Sequence, residues 1–477
     1  MQIIPDYSIF KKLGRKGNLA AVMAQIPADL ETPVSAFLKL ASALPHAFLL
    51  ESAEQQERIG RFSIIGLRPR KVITADFSSK DFLASLKTLL QGLQLANAED
   101  VPGFSGGLVG FMSYERVREF ETIHLKSKNG PRIPEGIFHL SQELVIFDHF
   151  QKSLFLVDIV DISRGASRSV YRKALRRIRH RIHALNQPLK IKPKKSHPPR
   201  SVHPHSNIQP SKFYEKVKKI KTYIRAGDCI QVVLSQRFAL PLIQDDFQIY
   251  RALRSINPSP YMFYFRSGKI RLIGSSPEML VKKTGRLAEV RPIAGTRPRG
   301  ADEAEDICLE ESLKKSPKEM AEHLMLVDLG RNDLGRVCEF SSVKVKDFAR
   351  VERYSHVMHL VTDVIGKLKL HHDAFDLLKA AFPAGTVTGA PKIRAMQIID
   401  ELETQARGPY AGSLGYFGFN GDMDMCLTIR TLFTDGKKFY LQAGAGIVKD
   451  SDPKREFQET VNKAKALIKA IEIKDQF

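Results

Sequence analysis

Runs of apolar residues separated by short polar turns predict antiparallel strands at several places along the chain. Residues 143–160 contain two runs of β-branched and aromatic residues around a polar centre, and residues 261–274 repeat the pattern, so both are predicted hairpins. Residues 413–448 predict a three-stranded meander. Its turns are Asn-Gly at 420–421 and Asp-Gly at 435–436, dipeptides that favour tight hairpins because both central residues need positive φ.

Apolar residues at helical spacing surround these strands. Residues 168–185 carry an apolar side chain on each turn and arginine at many other positions, which predicts a basic amphipathic helix. A second helix is predicted to include Phe213 and to end at Gly227, and a third to cover 393–402. Strands grouped in hairpins, without a regular alternation of strand and helix, predict an α+β fold with antiparallel sheets.

The segment 185–210 divides the chain. It contains six prolines and almost no large apolar residue, so we interpret it as an exposed linker between an N-terminal segment, 1–184, and a C-terminal segment, 211–477. A chain of 477 residues is long for a single core. Two domains, or one domain of two interleaved halves, are therefore expected.

The positive charge of the chain is concentrated in one segment. The formal net charge is +22, and residues 162–214 contain 14 Lys or Arg and no acid. Such a segment can bind nucleic acid or an anionic membrane, although a solvated outer face is the commoner explanation. No aromatic residues are interleaved for base stacking. We therefore expect no nucleic acid and no membrane among the partners.

Cysteine usage and the N-terminus bear on the compartment. The four cysteines lie far apart without a CxxC pair, which argues against a disulfide framework and against a structural zinc site. The N-terminus lacks the order of a signal peptide, and no apolar run approaches the ~18 residues that a membrane span needs. These features predict a cytoplasmic protein.

Two ExxE units lie on predicted helices, Glu319 with Glu322 and Glu456 with Glu459. The i, i+3 spacing puts both carboxylates of a unit on one helical face, and two such faces could surround a hard cation. Ligands that are all oxygen favour Mg²⁺ over zinc. By spacing alone, two solvated acidic faces are the simpler interpretation, because ExxE is frequent in helices.

Three further stretches contain glycine beside groups that could contact an anion. RPIAGTRPRG (291–300) has three arginines and no acid, PAGTVTGAPK (383–392) lacks the Gly-Lys-Ser/Thr of a Walker A loop, and AGAGIV (443–448) lacks the rest of a dinucleotide fingerprint. No GxSxG nucleophile motif is present either. A nucleotide-binding loop is therefore not supported.

Taken in order, these and other stretches strongly resemble component I of the anthranilate synthases, in the chorismate-utilising enzyme family. The stretches are LLESAE (49–54), GRFSIIG (60–66), NPSPYMFYF (257–265), SSPEML (275–280), RPIAGTRPRG, AEHLMLVDLGRNDLGRV (321–337), PAGTVTGAPKIRAMQIIDELE (383–403), GPYAGSLGYFGFNGDMD (408–424), AGAGIV and SDPKREFQETVNKA (451–464). The resemblance covers nearly the whole chain except the basic linker. It implies two interleaved halves with large antiparallel sheets packed as a sandwich and helices outside. It also implies that 1–184 carries regulatory elements and partner contacts, and 211–477 the chorismate-binding catalytic site.

The resemblance implies an activity and a set of site residues. The activity is the Mg²⁺-dependent conversion of chorismate and ammonia to anthranilate and pyruvate, the first committed step of tryptophan biosynthesis. The implied roles are Mg²⁺ ligation by Glu322 and Glu459 with support from Glu319 and Glu456, binding of the enolpyruvyl carboxylate by Arg430, Tyr410, Gly444 and Gly446, binding of the ring carboxylate by Lys463, general-acid catalysis by Glu278, pyruvate elimination by His359, and lining of the pocket by Gly295, Thr296 and Thr386. A carboxylic acid that protonates a leaving hydroxyl near neutral pH needs a raised pKa, which burial can provide.

Two positions discriminate between members of this family. Enzymes that make aminodeoxychorismate usually carry a nucleophilic lysine where this sequence has Ala294, and isochorismate synthases usually carry a lysine base where it has Gln231. Alanine offers no nucleophile, so direct attack by ammonia is the consistent interpretation. Aminodeoxychorismate synthase component I with an atypical alanine remains the alternative within the enzyme class.

The family pattern also implies partners. The chain has no cysteine in a GxCxG elbow, so glutamine hydrolysis belongs to a separate glutamine amidotransferase subunit, and a hetero-oligomer is expected. Four residues resemble contacts of a regulatory tryptophan site: Ser52, Pro258, Tyr261 and Met262. Feedback inhibition by tryptophan is a hypothesis on this basis. A non-catalytic, basic binding protein on the same scaffold is the alternative from another functional class.

Overall fold

The structure is a computed structural model, and it describes residues 1–52, 60–126, 128–189, 201–354 and 357–477. In these ranges the strands are β1 (Gln2–Ile4), β2 (Leu19–Pro27), β3 (His46–Glu51), β4 (Phe62–Leu67), β5 (Lys71–Ala75), β6 (Gly107–Met112), β7 (Gly136–Ser141), β8 (Glu143–Asp148), β9 (Ser153–Asp161), β10 (His205–Ser206), β11 (Gln231–Pro241), β12 (Tyr261–Ser267), β13 (Ile270–Ser276), β14 (Met279–Thr284), β15 (Leu287–Val290), β16 (Ile293–Pro298), β17 (Lys344–Arg353), β18 (Val357–Lys367), β19 (Gly389–Ala390), β20 (Ser413–Gly418), β21 (Met423–Leu427), β22 (Thr431–Thr434) and β23 (Lys438–Ile447).

The helices lie between these strands. They are α1 (Tyr7–Leu13), α2 (Pro33–Leu40), α3 (Phe82–Gln91), α4 (Arg168–Leu185), α5 (Pro210–Arg225), α6 (Asp246–Ile256), α7 (Glu303–Lys314), α8 (Pro317–Gly335), α9 (Ala374–Ala381), α10 (Gly385–Thr388), α11 (Lys392–Leu402) and α12 (Pro453–Ile473). Short 3₁₀ helices cover Ala98–Asp100, Tyr114–Glu119 and Lys474–Gln476. Within the described ranges, none of the helices combines the length and the apolar character needed to cross a bilayer.

The strands form two large antiparallel sheets. The larger sheet has 13 strands in the order β1-β2-β9-β8-β4-β3-β12-β13-β22-β23-β11-β10, with β19 paired to β11. The smaller sheet has 10 strands in the order β16-β18-β15-β14-β21-β20-β6-β7-β5, with β17 paired to β18. Strands from 1–184 and from 211–477 enter both sheets, because β3 pairs with β12 and β6 pairs with β20. The predicted α+β fold of interleaved halves is confirmed.

The inner faces of the two sheets pack on one another as a sandwich. Phe111 of the smaller sheet and Phe265 of the larger sheet meet edge to face, with ring centroids 6.0 Å apart. Both side chains are fully buried and belong to one apolar cluster that contains residues of both sheets. Burial of each such side chain stabilises the fold by about 1.5–3 kcal/mol.

Helices cover the outer face of the larger sheet, and the predicted amphipathic helices are among them. Helix α4 covers residues 168–185 as predicted, and it buries Ile178 and Ala174 while its arginine-rich side faces outward. Helix α5 buries Phe213 and Val217 in a cluster with apolar residues of α11 and β11. The two helices are therefore held by their apolar stripes, as helices in globular proteins usually are.

Two predictions about local structure were wrong in part. Residues 413–448 form four strands, not a three-stranded meander: β20 and β21 belong to the smaller sheet, whereas β22 and β23 belong to the larger sheet. The chain crosses between the sheets at residues 428–430, where Arg430 has a φ of +49°. No Gly, Pro or Asn marks this crossing, so local turn chemistry gave no signal for it.

The proposed linker is also not entirely free of structure. Residues 205–206 form β10, which pairs with β11 at the edge of the larger sheet. The prolines that suggested an exposed linker do not prevent this pairing, because edge strands tolerate nearby proline. Residues 190–200 of the same segment lie outside the described residues.

Candidate functional site

A cavity of about 630 Å³ lies where strands of both sheets meet α8 and α12. All the residues expected to act in catalysis, substrate binding or metal binding line it: Glu278, Gly295, Thr296, Glu319, Glu322, His359, Thr386, Tyr410, Arg430, Gly444, Gly446, Glu456, Glu459 and Lys463. They come from segments almost 200 residues apart in sequence. The structure therefore brings together a group that sequence spacing alone could not assemble.

Glu278 is a buried carboxyl in the wall of this cavity. It lies between β13 and β14 and is 8% exposed. Burial raises the pKa of Glu278 to about 8, while the Thr386 hydroxyl and the positive charge of Lys463 act in the opposite direction. Because a buried carboxylate is poorly solvated, the protonated form is favoured at neutral pH. Glu278 can therefore donate a proton to a group bound in the cavity.

His359 on β18 has a defined tautomer. Its Nδ1 lies 2.8 Å from the carbonyl oxygen of Gly295, which can only accept a hydrogen bond, so Nδ1 carries the proton. The Thr296 hydroxyl lies 3.1 Å from the same nitrogen. Burial lowers the pKa of His359, and the nearby charge of Arg430 acts in the same direction. The imidazole is therefore neutral near pH 7, with Nε2 able to accept a proton.

Helices α8 and α12 each bring two carboxylates to the cavity. Each helix begins with a capping residue followed by proline, Ser316 in α8 and Asp452 in α12, so the acids lie in the first two turns. The carboxylates are Glu319 and Glu322 on α8, and Glu456 and Glu459 on α12. Burial raises the pKa of Glu456, and the negative charge of Glu459 adds to the shift.

Each of three carboxylates is held by a different neighbour. Glu322 accepts a hydrogen bond from the Gln231 side-chain amide at 3.0 Å, and Glu459 pairs with Lys463 at 2.7 Å. Glu319 pairs with Arg297 at 3.3 Å. In the part of the chain that the structure describes, no three acidic, histidine or cysteine side chains already converge on a common point. A shared cation would therefore require these flexible side chains to turn inward.

The wall of the cavity beside α12 is cationic and rich in hydrogen-bond donors. Lys463 donates to the carbonyl of Gly444 at 3.0 Å, and Arg430 donates to the carbonyl of Lys463 at 3.0 Å. Burial raises the pKa of Tyr410 to about 12, so its hydroxyl keeps its proton and can donate it to an anion. A Cβ at Gly444 would lie 2.6 Å from the Tyr410 hydroxyl oxygen, so this position requires glycine.

The arginines of RPIAGTRPRG do not form an anion trap. Arg299 forms a bidentate pair with Asp306, and Arg291 pairs with Asp363 at 2.9 Å. The remaining arginine, Arg297, pairs with Glu319 as described above. Carboxylates outside the stretch neutralise its arginines, and the residues that line the cavity are those between the arginines, Ile293 to Thr296.

Comparison with known proteins agrees with this geometry. The model of the chorismate binding enzyme family matches residues 45–469. The chain is 44% identical to anthranilate synthase component 1 of Synechocystis sp., covering 98% of this chain and 99% of the relative, and 45% identical to that of Aquifex aeolicus, covering 98% and 97%. The crystal structure of anthranilate synthase component I from Streptococcus pneumoniae superposes with a TM-score of 0.77 at 34% identity, covering 93% of this chain and 99% of that one. The chain belongs to the anthranilate synthase component I family.

A more distant structural neighbour shows how far the fold extends. The menaquinone-specific isochorismate synthase of Escherichia coli superposes with a TM-score of 0.73 at 20% identity, covering 97% of this chain and 98% of that one. At this level of identity only the fold is shared. The chorismate binding enzyme fold therefore carries more than one activity, and the activity of a member must be argued from its cavity.

Both positions that discriminate within the chorismate binding enzymes line the cavity. Ala294 is 8% exposed on β16, and Gln231 at the start of β11 is 3% exposed. A Cβ at Gly446 would lie 2.5 Å from the Gln231 amide nitrogen, so Gln231 fills the space above that glycine. Neither residue carries an amine, so position 294 offers no lysine nucleophile and position 231 offers no lysine base.

The four residues expected to bind tryptophan lie outside this cavity, at the junction of β3 and β12. Met262 on β12 pairs with Glu51 on β3, which places Ser52 beside Tyr261. Pro258 lies in the turn that precedes β12. The hydroxyl of Tyr261 donates to Asp424 on β21 at 3.0 Å, so this region contacts the smaller sheet.

The structure adds cavity residues that sequence patterns missed. Gln442 on β23 lines the cavity and donates to the Ser235 hydroxyl at 2.7 Å. Lys318 and Asn462 lie next to the glutamates of α8 and α12, one position before Glu319 and one before Lys463. Helical spacing from the ExxE units could have indicated Asn462, whereas a glutamine in an apolar strand carries no motif.

Proposed function

We propose that this chain is the synthase subunit of anthranilate synthase, which converts chorismate and ammonia to anthranilate and pyruvate. The observation that carries the proposal is the buried Glu278, whose pKa burial raises, in one cavity with the cationic wall and the four carboxylates. Chorismate has two carboxylates and a leaving hydroxyl. The cavity offers a partner for each of these groups.

Substrate binding uses the two sides of the cavity. Arg430 and the Tyr410 hydroxyl bind the enolpyruvyl carboxylate, and Gly444 and Gly446 leave room for it because they carry no side chain. Lys463 binds the ring carboxylate from the end of the cavity near the acidic helices. The two carboxylates therefore orient the ring with its hydroxyl towards Glu278.

The acidic helices fit a hard cation. Their donors are carboxylate oxygens only, which suits Mg²⁺, and Glu322 and Glu459 would hold the ion with support from Glu319 and Glu456. When bound, Mg²⁺ would neutralise the ring carboxylate and draw electron density from the ring. Four neighbouring carboxylates repel one another, and a bound cation relieves this repulsion, so the arrangement favours cation binding.

The chemistry then needs two proton transfers by residues of this chain. Glu278 gives its proton to the 4-hydroxyl, which leaves as water while ammonia forms a bond to the ring carbon next to the carboxylate. His359 then takes the proton of the aminated ring carbon at Nε2 while the bond from the ring to the enolpyruvyl oxygen breaks, because Nδ1 is already committed to the Gly295 carbonyl. The released enolpyruvate takes up a proton at its methylene carbon and becomes pyruvate. Ala294 keeps the first step a direct attack, since no lysine is present to form a covalent intermediate.

We also propose that ammonia comes from a glutamine amidotransferase subunit in a hetero-oligomer. In this arrangement 1–184 carries partner contacts and the Ser52 side of the tryptophan site, and 211–477 carries catalysis together with Pro258, Tyr261 and Met262 of that site. The free state of the four cysteines supports a reducing, cytoplasmic location. Feedback inhibition by tryptophan is part of the proposal and has its own test below.

The test is to incubate the purified chain with chorismate, MgCl₂ and an ammonium salt, and to identify products by fluorescence and mass spectrometry. Formation of anthranilate and pyruvate is expected. Glutamine should replace ammonium only after the amidotransferase subunit is added. Accumulation of aminodeoxychorismate or isochorismate, or no turnover by a folded sample, would contradict the proposal.

A further inference from the structure

One arginine, Arg407, lies buried directly behind the wall of the cavity. It is 1% exposed, and it does not line the cavity itself. Its guanidinium donates to the carbonyl oxygen of Val387 at 2.7 Å and to that of Val233 at 2.8 Å. Both valines line the cavity. A single side chain therefore joins α10 to β11 across the back of the site.

The same guanidinium supports Tyr410. Its central carbon lies 5.5 Å from the centroid of the Tyr410 ring and 4.9 Å from that of Tyr114, so it contacts two aromatic rings. A cation over an aromatic ring is an attractive contact that becomes stronger away from water. The position of the Tyr410 hydroxyl, next to Gly444, depends on where this ring rests.

Glu403 fixes the plane of the guanidinium. Arg407 donates to the two carboxylate oxygens of Glu403 at 2.8 Å each, in a bidentate pair that is also buried. Glu403 accepts further hydrogen bonds from the backbone and hydroxyl of Ser235, and Ser235 accepts one from Gln442, which lines the cavity. The ion pair therefore connects to a fourth residue of the wall.

We propose that Arg407 is a positioning residue: with Glu403 it holds Tyr410, Val233 and Val387 in the geometry that receives the enolpyruvyl carboxylate of chorismate. It acts through these residues and makes no contact with the substrate. The proposal rests on the proposed function for the identity of the substrate. The Arg407–Glu403 pair would then contribute to chorismate binding in addition to stabilising the fold.

Arg407→Lys tests this role because it keeps the charge and removes the planar fork. A lysine ammonium cannot satisfy both oxygens of Glu403 and two carbonyls in different directions. We expect the dissociation constant and the KM for chorismate to rise by about tenfold or more, as is typical when a charged hydrogen-bond network is broken. The KM for ammonium should change little, since ammonia does not bind to this wall.

The chain offers a matched control in Arg116. This arginine is fully buried, donates to Glu135 and to two backbone carbonyls, and lies over the Phe82 ring, and neither Arg116 nor any of these partners lines the cavity. Arg116→Lys should lower the melting temperature to a similar degree and leave the dissociation constant of chorismate within about twofold. Arg407→Lys should also raise the dissociation constant of chorismate by a smaller factor in a Tyr410→Phe background than in the wild type. The reason is that part of its effect acts through Tyr410.

The outcomes separate the two proposals. An unchanged dissociation constant in Arg407→Lys, or equal increases in both arginine variants, would overturn the positioning role. If Arg407→Lys does not fold, Glu403→Gln is measured instead, and it should raise the same constant by a similar factor. A wild-type protein that binds chorismate but forms no anthranilate would overturn the proposed function, while the comparison of dissociation constants would still decide the role of Arg407.

Discussion

Glu278 owes its chemical character to its surroundings. A glutamate in water is ionised at pH 7, but burial raises the pKa of this carboxyl to about 8. The Thr386 hydroxyl and the positive charge of Lys463 act against this shift. A bound substrate that pairs with Lys463 would weaken this opposition, so the acid should stay protonated when chorismate is bound.

Replacement of Glu278 tests its role as the acid. Glu278→Gln keeps the shape of the side chain and carries no proton to donate, so the rate of anthranilate formation should fall by about 10²–10⁴-fold with little change in the KM for chorismate. Steady-state kinetics with ammonium would measure both constants. Glu289→Gln is the control, because burial also raises the pKa of Glu289 and this side chain lies outside the cavity. Equal losses in both variants would contradict the assignment.

The raised pKa of Glu278 also predicts a pH dependence. The active form is the protonated one, so kcat/KM should be high below pH 8 and should decline as the pH rises through about 8. The decline should be missing from the residual activity of Glu278→Gln. A pH profile of kcat/KM for chorismate at saturating Mg²⁺ measures this, with the concentration of free NH₃ held constant because the deprotonated share of ammonium itself rises with pH. A wild-type profile that rises through pH 8 would show that the ionised form acts instead.

Helices α8 and α12 work as a pair. Each helix alone presents a common acidic spacing, but α8 packs on β16 and α12 packs on β23, and the glutamates of both helices line the same cavity. Proline and a capping side chain start both helices, so the glutamates stand at defined positions at their N-terminal ends. Positive helix termini partly stabilise the carboxylates before any cation binds.

Loss of one carboxylate from this pair should weaken Mg²⁺ binding. In Glu322→Gln the Mg²⁺ concentration for half-maximal activity should rise by at least about tenfold, and titration calorimetry should show weaker binding without substrate turnover. Asp328→Asn is the matched control, because Asp328 lies on the same helix, is exposed, and pairs with Arg331 at the surface. Full Mg²⁺-dependent activity in Glu322→Gln would refute the role of Glu322.

Both sheets contain paired strands from the N-terminal and the C-terminal segments of the chain. Strand β3 from the N-terminal segment pairs with β12, and the Tyr261 hydroxyl on β12 donates to Asp424 on β21 of the other sheet. Cys426 on the same strand β21 pairs in register with Met279, the residue after Glu278. A ligand at the β3–β12 junction is therefore connected through β21 to Glu278, the proposed acid.

Tryptophan should inhibit the enzyme through this path. We expect tryptophan to slow ammonium-dependent turnover of the wild type, and Tyr261→Phe to need a tryptophan concentration at least about tenfold higher for the same effect. Tyr264→Phe is the control, because Tyr264 also lies on β12 and also donates to an aspartate, Asp246 of α6, but packs in the cluster on the opposite face of the sheet. A wild type whose rate is unchanged by tryptophan would contradict a regulatory site.

Local patterns predicted helices and hairpins well where the structure depends on interactions between residues that are close in sequence. Helix α4 begins and ends at the predicted residues, and the hairpin of β8 and β9 lies within one residue of its predicted limits, because apolar periodicity and turn chemistry act over neighbouring residues. The meander at 413–448 was wrong because partner strands for β22 come from elsewhere in the chain. Pairing over long sequence distances leaves no trace in a local pattern.

The amino-acid sequence alone identified the family, the α+β class and the list of candidate site residues, because long motifs preserve side-chain types in a specific order. Only the tertiary structure determined the protonation, tautomer and positioning of these side chains. The pKa of Glu278 follows from burial, the tautomer of His359 from the Gly295 carbonyl, and the support of Tyr410 from Arg407. Each of these properties depends on atoms that come into contact only when distant segments of the chain pack together. Patterns of neighbouring residues in the sequence therefore do not predict them.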